Sequence, residues 1–194
     1  DRLVDMITCR DLSTCAVKQG KYMIVTAPDG GIVNDPVLLH VAEDTWWMQL
    51  ADSDAGLYAM GVAASSGLDV EVTFPDVHPM QVQGPLAAKT LEKLVGPAIY
   101  DIKYYWTLQT ELDGIPVVIS RTGWTGEVGY EIYLRDPSRG GDLWDRVFEA
   151  GKEFGLEVGG YKVLDCLRLE KGYKYFTADV TPMETPYEAG LGFC

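Results

Sequence analysis

Hydrophobic and polar positions in the first third of the chain fall into short runs separated by turn residues. Lys21-Tyr22-Met23-Ile24-Val25 reads as a strand, Ala27-Pro28-Asp29-Gly30-Gly31 as a turn cluster, and Val37-Leu38-Leu39-His40-Val41 as a second strand. Trp46-Trp47-Met48-Gln49-Leu50 follows an acidic turn at Glu43-Asp44, and together these runs predict an antiparallel meander. Leu57 to Ala64 has apolar residues at helical spacing, with Gly67 placed to stop the helix. Val70-Glu71-Val72-Thr73-Phe74 then alternates as a strand.

The pattern restarts after Pro75. Met80-Gln81-Val82-Gln83 is a short strand closed by Gly84-Pro85, and Leu86 to Val95 carries a helical apolar stripe. Tyr104 to Glu111 and Ile115 to Ser120 flank Asp113-Gly114, a strong hairpin signal. Tyr130 to Leu134 is a further strand. Leu143 to Gly151 is an amphipathic helix with Asp142 at its start, and a last helix over about 163–171 precedes Gly172. The class is α+β: two small α/β layers with antiparallel sheets, over residues 1–78 and 79–194, joined at the loop Pro75 to Pro79. The first residues read as the middle of a helix and Leu191-Gly192-Phe193-Cys194 as an apolar strand-like run, which points to a fragment.

Composition narrows the function classes. The 194 residues are 47 % hydrophobic, enough to bury a core, and carry a formal charge of −13 with 16 basic residues. No run of Lys or Arg interleaves with aromatics, which argues against nucleic acid. No stretch reaches the length of a membrane span and the start lacks a signal-peptide plan, so the expected compartment is the cytoplasm. Cys9, Cys15, Cys166 and Cys194 lack paired spacing, and His40 and His78 are the two histidines, so neither a metal site nor a covalent Cys–His centre is expected.

Three strings could carry chemistry. Ser120-Arg121-Thr122-Gly123-Trp124-Thr125-Gly126-Glu127-Val128-Gly129-Tyr130-Glu131 sets three glycines and two acids between strands. Such a loop either brings a flat ligand close to main chain, with a carboxylate for an N–C–NH₂ edge, or is a structural hairpin. Asp29-Gly30-Gly31-Ile32-Val33-Asn34-Asp35-Pro36 either aims an acid at an amine that becomes cationic or forms an Asx turn at Asn34 or Asp35. In Asp165-Cys166-Leu167-Arg168-Leu169-Glu170, Arg168 and Glu170 read most simply as a structural ion pair.

Taken in order, these strings resemble the glycine-cleavage T-protein (aminomethyltransferase) family. The matches are Gly30 to Asp35, Gln83-Gly84-Pro85, Arg121 to Glu127 with Glu131 beyond, Asp165 to Glu170, and Thr185 to Leu191. The resemblance implies a tetrahydrofolate-dependent one-carbon transferase whose cofactor lies between the two halves. Glu131 would hold the pterin edge and Asp35 would act at the folate nitrogen that accepts the carbon. Tyr22, Asn34, Tyr104 and Trp124 would complete the folate surroundings. Asn34 stands where the family commonly has an acid, and Leu164 where it commonly has a basic residue. Those departures argue against aminomethyl transfer from a lipoyl-carried intermediate, and the strings Asn34-Asp35-Pro36-Val37 and Ala51-Asp52-Ser53-Asp54 are similar to the folate-dependent demethylase branch, whose sulfonium example is dimethylsulfoniopropionate demethylase. The substrate would be a small methyl or aminomethyl donor. The alternatives are glycine-cleavage aminomethyl transfer, with a lipoylated carrier protein as partner, and a non-catalytic folate-binding regulatory protein. The resemblance also implies a C-terminal β-barrel domain lying outside this chain.

Overall fold

The computed structural model of the protein describes residues 2–50 and 54–194. Contacts divide it into two compact units: residues 1–74 with 174–194, and residues 75–173. Residues 174–194, expected with the second stretch, group with the first unit. The string Ala51-Asp52-Ser53 lies outside the described residues.

The first unit opens with α1 (Arg2–Ile7), then β1 (Gly20–Tyr22), β2 (Val25–Thr26), β3 (Ile32–Asn34), β4 (Val37–Ala42), β5 (Thr45–Gln49) and α2 (Ala55–Ser66). β1, β4 and β5 form one antiparallel sheet, and β2 pairs with β3 as a separate ribbon. The strand expected over 21–25 is thus split in two. Pro36 explains the break: it has no N–H to give, and its carbonyl instead accepts from the Met23 amide. Met23, Val25 and Leu38 join Leu3, Val4 and Ile7 of α1 and Ala59 of α2 in one apolar cluster. Helix α2 ends where expected, at a left-handed Gly67.

Two expectations fail in this unit. Val70 to Phe74 is not a strand; Val72 packs on the α1–α2 cluster, and the Phe74 ring lies against Gly56, where any Cβ would press into it. Alternation alone cannot make a strand without a neighbour to complete the ladder. Leu191 to Cys194 is likewise turn rather than strand. Leu191, with Ala189, Phe176 and Val180, instead packs on Ile24 of the β1–β2 junction and Ile32 of β3.

The second unit comprises β6 (His78–Gln83), α3 (Ala87–Val95), β7 (Thr107–Leu112), β8 (Ile115–Ser120), β9 (Gly129–Leu134), α4 (Gly140–Gly151) and α5 (Tyr161–Lys171). Its sheet is antiparallel in the order β6-β9-β8-β7. Asp113 and Gly114 both take positive φ, as a tight two-residue hairpin requires. Alternate positions make two unlike faces. The row Met80, Ile132, Ile119, Leu108 is apolar and shares a core with Leu91 of α3 and Leu143 and Val147 of α4. The adjacent row belongs to the other face and is polar. No helix among the described residues is long and apolar enough to cross a membrane.

Candidate functional site

The polar row of the second unit runs Gln81, Glu131, Ser120, Thr107 across the four strands. Glu131 is 8 % exposed and Ser120 is fully buried, so this face is polar yet dry. Glu131 Oε1 accepts from Gln81 Nε2 at 3.0 Å, and Oε2 accepts from the Tyr133 hydroxyl at 3.1 Å and from the Thr122 hydroxyl. Thr122 has one proton and gives it to Glu131, so in its contact with Ser120 the serine is the donor. Burial raises the Glu131 pKa, and the Thr122, Tyr133 and Gln81 bonds oppose that rise. Tyr133 is held protonated, by burial first and by the neighbouring Glu131 charge second.

The glycine-rich loop joins Ser120 to this strand. Its glycines are small because protein atoms lie against them. A Cβ at Gly123 or Gly129 would collide with the Gln83 amide, and a Cβ at Gly126 would lie 2.6 Å from Lys171 Cγ. Close approach of a ligand is therefore not needed to account for these glycines. Trp124 is half-buried with the Arg168 guanidinium 5.5 Å from its ring centre.

Arg168 itself is 4 % exposed, donates from Nε to Asp165 at 2.7 Å and from Nη1 to the Tyr173 carbonyl at 3.2 Å. The expected Arg168–Glu170 pair is thus corrected to Arg168–Asp165. Residues two apart on a helix point to different sides, whereas those three apart meet. Tyr104 is exposed, packs edge-on to Tyr105 with centroids 4.6 Å apart, and its pKa is raised by burial and then by Tyr173.

In the first unit the expected acid and one expected aromatic meet. The Tyr22 hydroxyl donates to Asp35 Oδ2 at 3.0 Å. Asp35 leaves β3 just before Pro36, and burial pushes its pKa up to about 6, against the lowering effect of the Tyr22 bond. The Tyr22 ring stacks on Phe193 with centroids 6.3 Å apart, and its carbonyl accepts from Arg10 Nη1 at 2.6 Å. Asn34 is fully buried in β3. The Asx turn exists, but at Asp29, whose Oδ1 accepts from the Gly31 amide at 3.0 Å. Among the described residues, no group of three or more His, Cys, Asp or Glu could hold a metal ion.

Gln83, Ser120 and Thr122 lie in the strings noted from sequence but, like Gln81 and Tyr133, had no site role assigned there. The signal for them was parity: Gln81 and Gln83 flank apolar Val82, and Glu131 and Tyr133 flank apolar Ile132, so each pair shares a face opposite the core.

A family profile described as GCVT N-terminal domain matches residues 1–194. Dimethylsulfoniopropionate demethylase DmdA of Ruegeria pomeroyi is 36 % identical over 194 residues, which is 100 % of this chain and 53 % of that protein. An aminomethyltransferase of Desulfitobacterium hafniense is 33 % identical over 186 residues, 94 % of this chain and 51 % of its own. The crystal structure of glycine cleavage system aminomethyltransferase T from Bartonella henselae matches with a TM-score of 0.87 at 24 % identity, over 99 % of this chain and 51 % of that one. That likeness speaks to the fold, mixed helix and antiparallel sheet. The chain spans about half the length of the relatives it matches.

Proposed function

The chain belongs to the GCVT N-terminal domain family, and from that premise we propose that the protein of which it is part is a cytoplasmic one-carbon transferase using tetrahydrofolate. The observation that carries the reading is the Glu131 cluster. Gln81, Thr122 and Tyr133 give Glu131 hydrogen bonds that orient its two carboxylate oxygens, and those oxygens are the acceptor pair that the N–H groups of a pterin's N–C–NH₂ edge call for. Binding through that edge needs Glu131 ionised.

Asp35 suits a second role. With a pKa near 6 it is mostly ionised at neutral pH, able to stabilise positive charge on a nearby nitrogen and close enough to neutrality to exchange a proton. Tyr22 orients its carboxylate. Trp124 and Tyr104 offer flat surface to a heterocycle, and Asn34 acts from the interior of the first unit, by shaping the strand that ends at Asp35. Tetrahydrofolate, when bound, supplies the nitrogen that takes up the one-carbon unit. Positioning two reactants accounts for much of the acceleration without a covalent nucleophile.

For the donor we favour a small methylated molecule, as in the demethylase branch, because the demethylase relative is 36 % identical over all 194 residues. Aminomethyl transfer with a lipoylated carrier is the competing assignment, supported by the aminomethyltransferase relative. Calorimetric titration of tetrahydrofolate into the purified chain, with Glu131→Ala beside it, is the test. Saturable binding that the substitution removes supports the pterin site. Equal binding by a folded Glu131→Ala chain sinks it.

A further inference from the structure

Gln83 closes β6, and its side-chain amide is spent wholly inside the glycine-rich loop. Nε2 donates to the Thr122 carbonyl at 3.2 Å and to the Tyr130 carbonyl at 3.3 Å. Oε1 accepts from the Thr125 hydroxyl at 2.9 Å, and the same hydroxyl accepts from the Glu127 amide at 3.2 Å. One planar amide thus touches the start, the middle and the end of the 122–130 segment. The two glycines that would otherwise collide with it, Gly123 and Gly129, leave it room. Next to it, the Gly84 amide donates to the Val128 carbonyl at 2.8 Å.

We propose that Gln83 is a positioning residue for ligand binding by the second unit, clamping the 122–130 segment so that Trp124 and Glu131 are held in fixed register. The inference rests on the reading of Glu131 and Trp124 as ligand contacts. The chemistry demands glutamine. Two N–H groups on one nitrogen serve two carbonyls, and the carbonyl oxygen serves a hydroxyl; a glutamate carboxylate has the same shape with no donor, and methionine a similar length with no donor and only a weakly accepting sulfur. Loss of the clamp takes one hydrogen bond from each of the Thr122 and Tyr130 carbonyls and loosens the backbone that carries the indole, while the apolar core on the other face is untouched.

The test compares wild type, Gln83→Met and Gln83→Glu by calorimetric titration with tetrahydrofolate between pH 5.5 and 8, where each is folded by circular dichroism. The Trp124 indole ¹H–¹⁵N resonance, identified by Trp124→Phe, is followed alongside. Gln83→Met is expected to weaken binding at least tenfold and to broaden or shift the indole resonance. Gln83→Glu is expected to match it at pH 8 and to recover toward wild type as pH falls, because a protonated carboxyl regains one donor. A merely structural glutamine would not give that pH-dependent ratio. Binding by both variants within twofold of wild type overturns the proposal, as does an affinity ratio for Gln83→Glu that is flat with pH. If wild type fails to bind tetrahydrofolate, the folate reading falls, and the indole resonance decides the clamp: disturbed in Gln83→Met it stands, unchanged it is overturned.

Discussion

The two candidate acids are both buried enough to be raised above the ordinary carboxylate range, yet the protein surrounds them differently. Glu131 sits in the middle of a four-stranded sheet and takes hydrogen bonds from β6, from β9 and from the loop beyond β8. Asp35 sits at the end of a two-stranded ribbon and takes its side-chain bond from Tyr22. An acid fixed from several strands can present its oxygens in one geometry and so recognise shape. An acid with a looser shell and a pKa near neutrality is better suited to handling charge and protons.

The sharpest way to break that contrast is to remove each acid in turn. Glu131→Ala is expected to weaken tetrahydrofolate binding at least 100-fold, about 2.7 kcal/mol, by calorimetry. Asp35→Asn is expected to leave affinity within about threefold and to lower turnover of the full-length protein by about 100-fold or more. If the two substitutions exchange effects, the division of labour is wrong. Next in size, Thr122→Val takes a donor from buried Glu131 and should cost about 1–3 kcal/mol in urea denaturation.

The pH dependence separates the acids more gently. Between about pH 4 and 6 the folded chain keeps the Asp35 proton that the unfolded chain has released. Fewer protons are bound unfolded than folded, so stability falls as pH rises through that window. Asp35→Asn should remove this part of the decline, read from urea midpoints at pH 4, 5, 6 and 7. The smallest effect is expected for Tyr22→Phe, roughly 0.5–1.5 kcal/mol. With its lowering hydrogen bond gone, the falling limb should also extend to higher pH.

What could be read from the sequence was local. The hairpin at Asp113-Gly114, the stop at Gly67 and the helix ending at Gly172 each depend on residues within a few positions, and each is present. The partners of Glu131 are mixed in this respect: Tyr133 is two residues away, but Gln81 is fifty. The Gln83 clamp reaches 39, 42 and 47 residues along the chain, so the string Gln83-Gly84-Pro85 showed itself only as a turn. Val70 to Phe74 misled for the opposite reason, since its alternation is real but no strand among the described residues pairs with it. For the glycines of the 121–129 loop the sequence left ligand approach and a structural hairpin both open, and the atoms against them belong to Gln83 and Lys171.

The first unit is discontinuous, leaving the chain at residue 74 and resuming at 174. During synthesis, every residue of the second unit therefore emerges before the segment that covers Ile24 and Ile32. The second unit can close as it is made, and the first must wait with part of its apolar interior open to water. An N-terminal piece ending anywhere before Phe176 is expected to bear an exposed Ile24–Ile32 surface and to aggregate on that account.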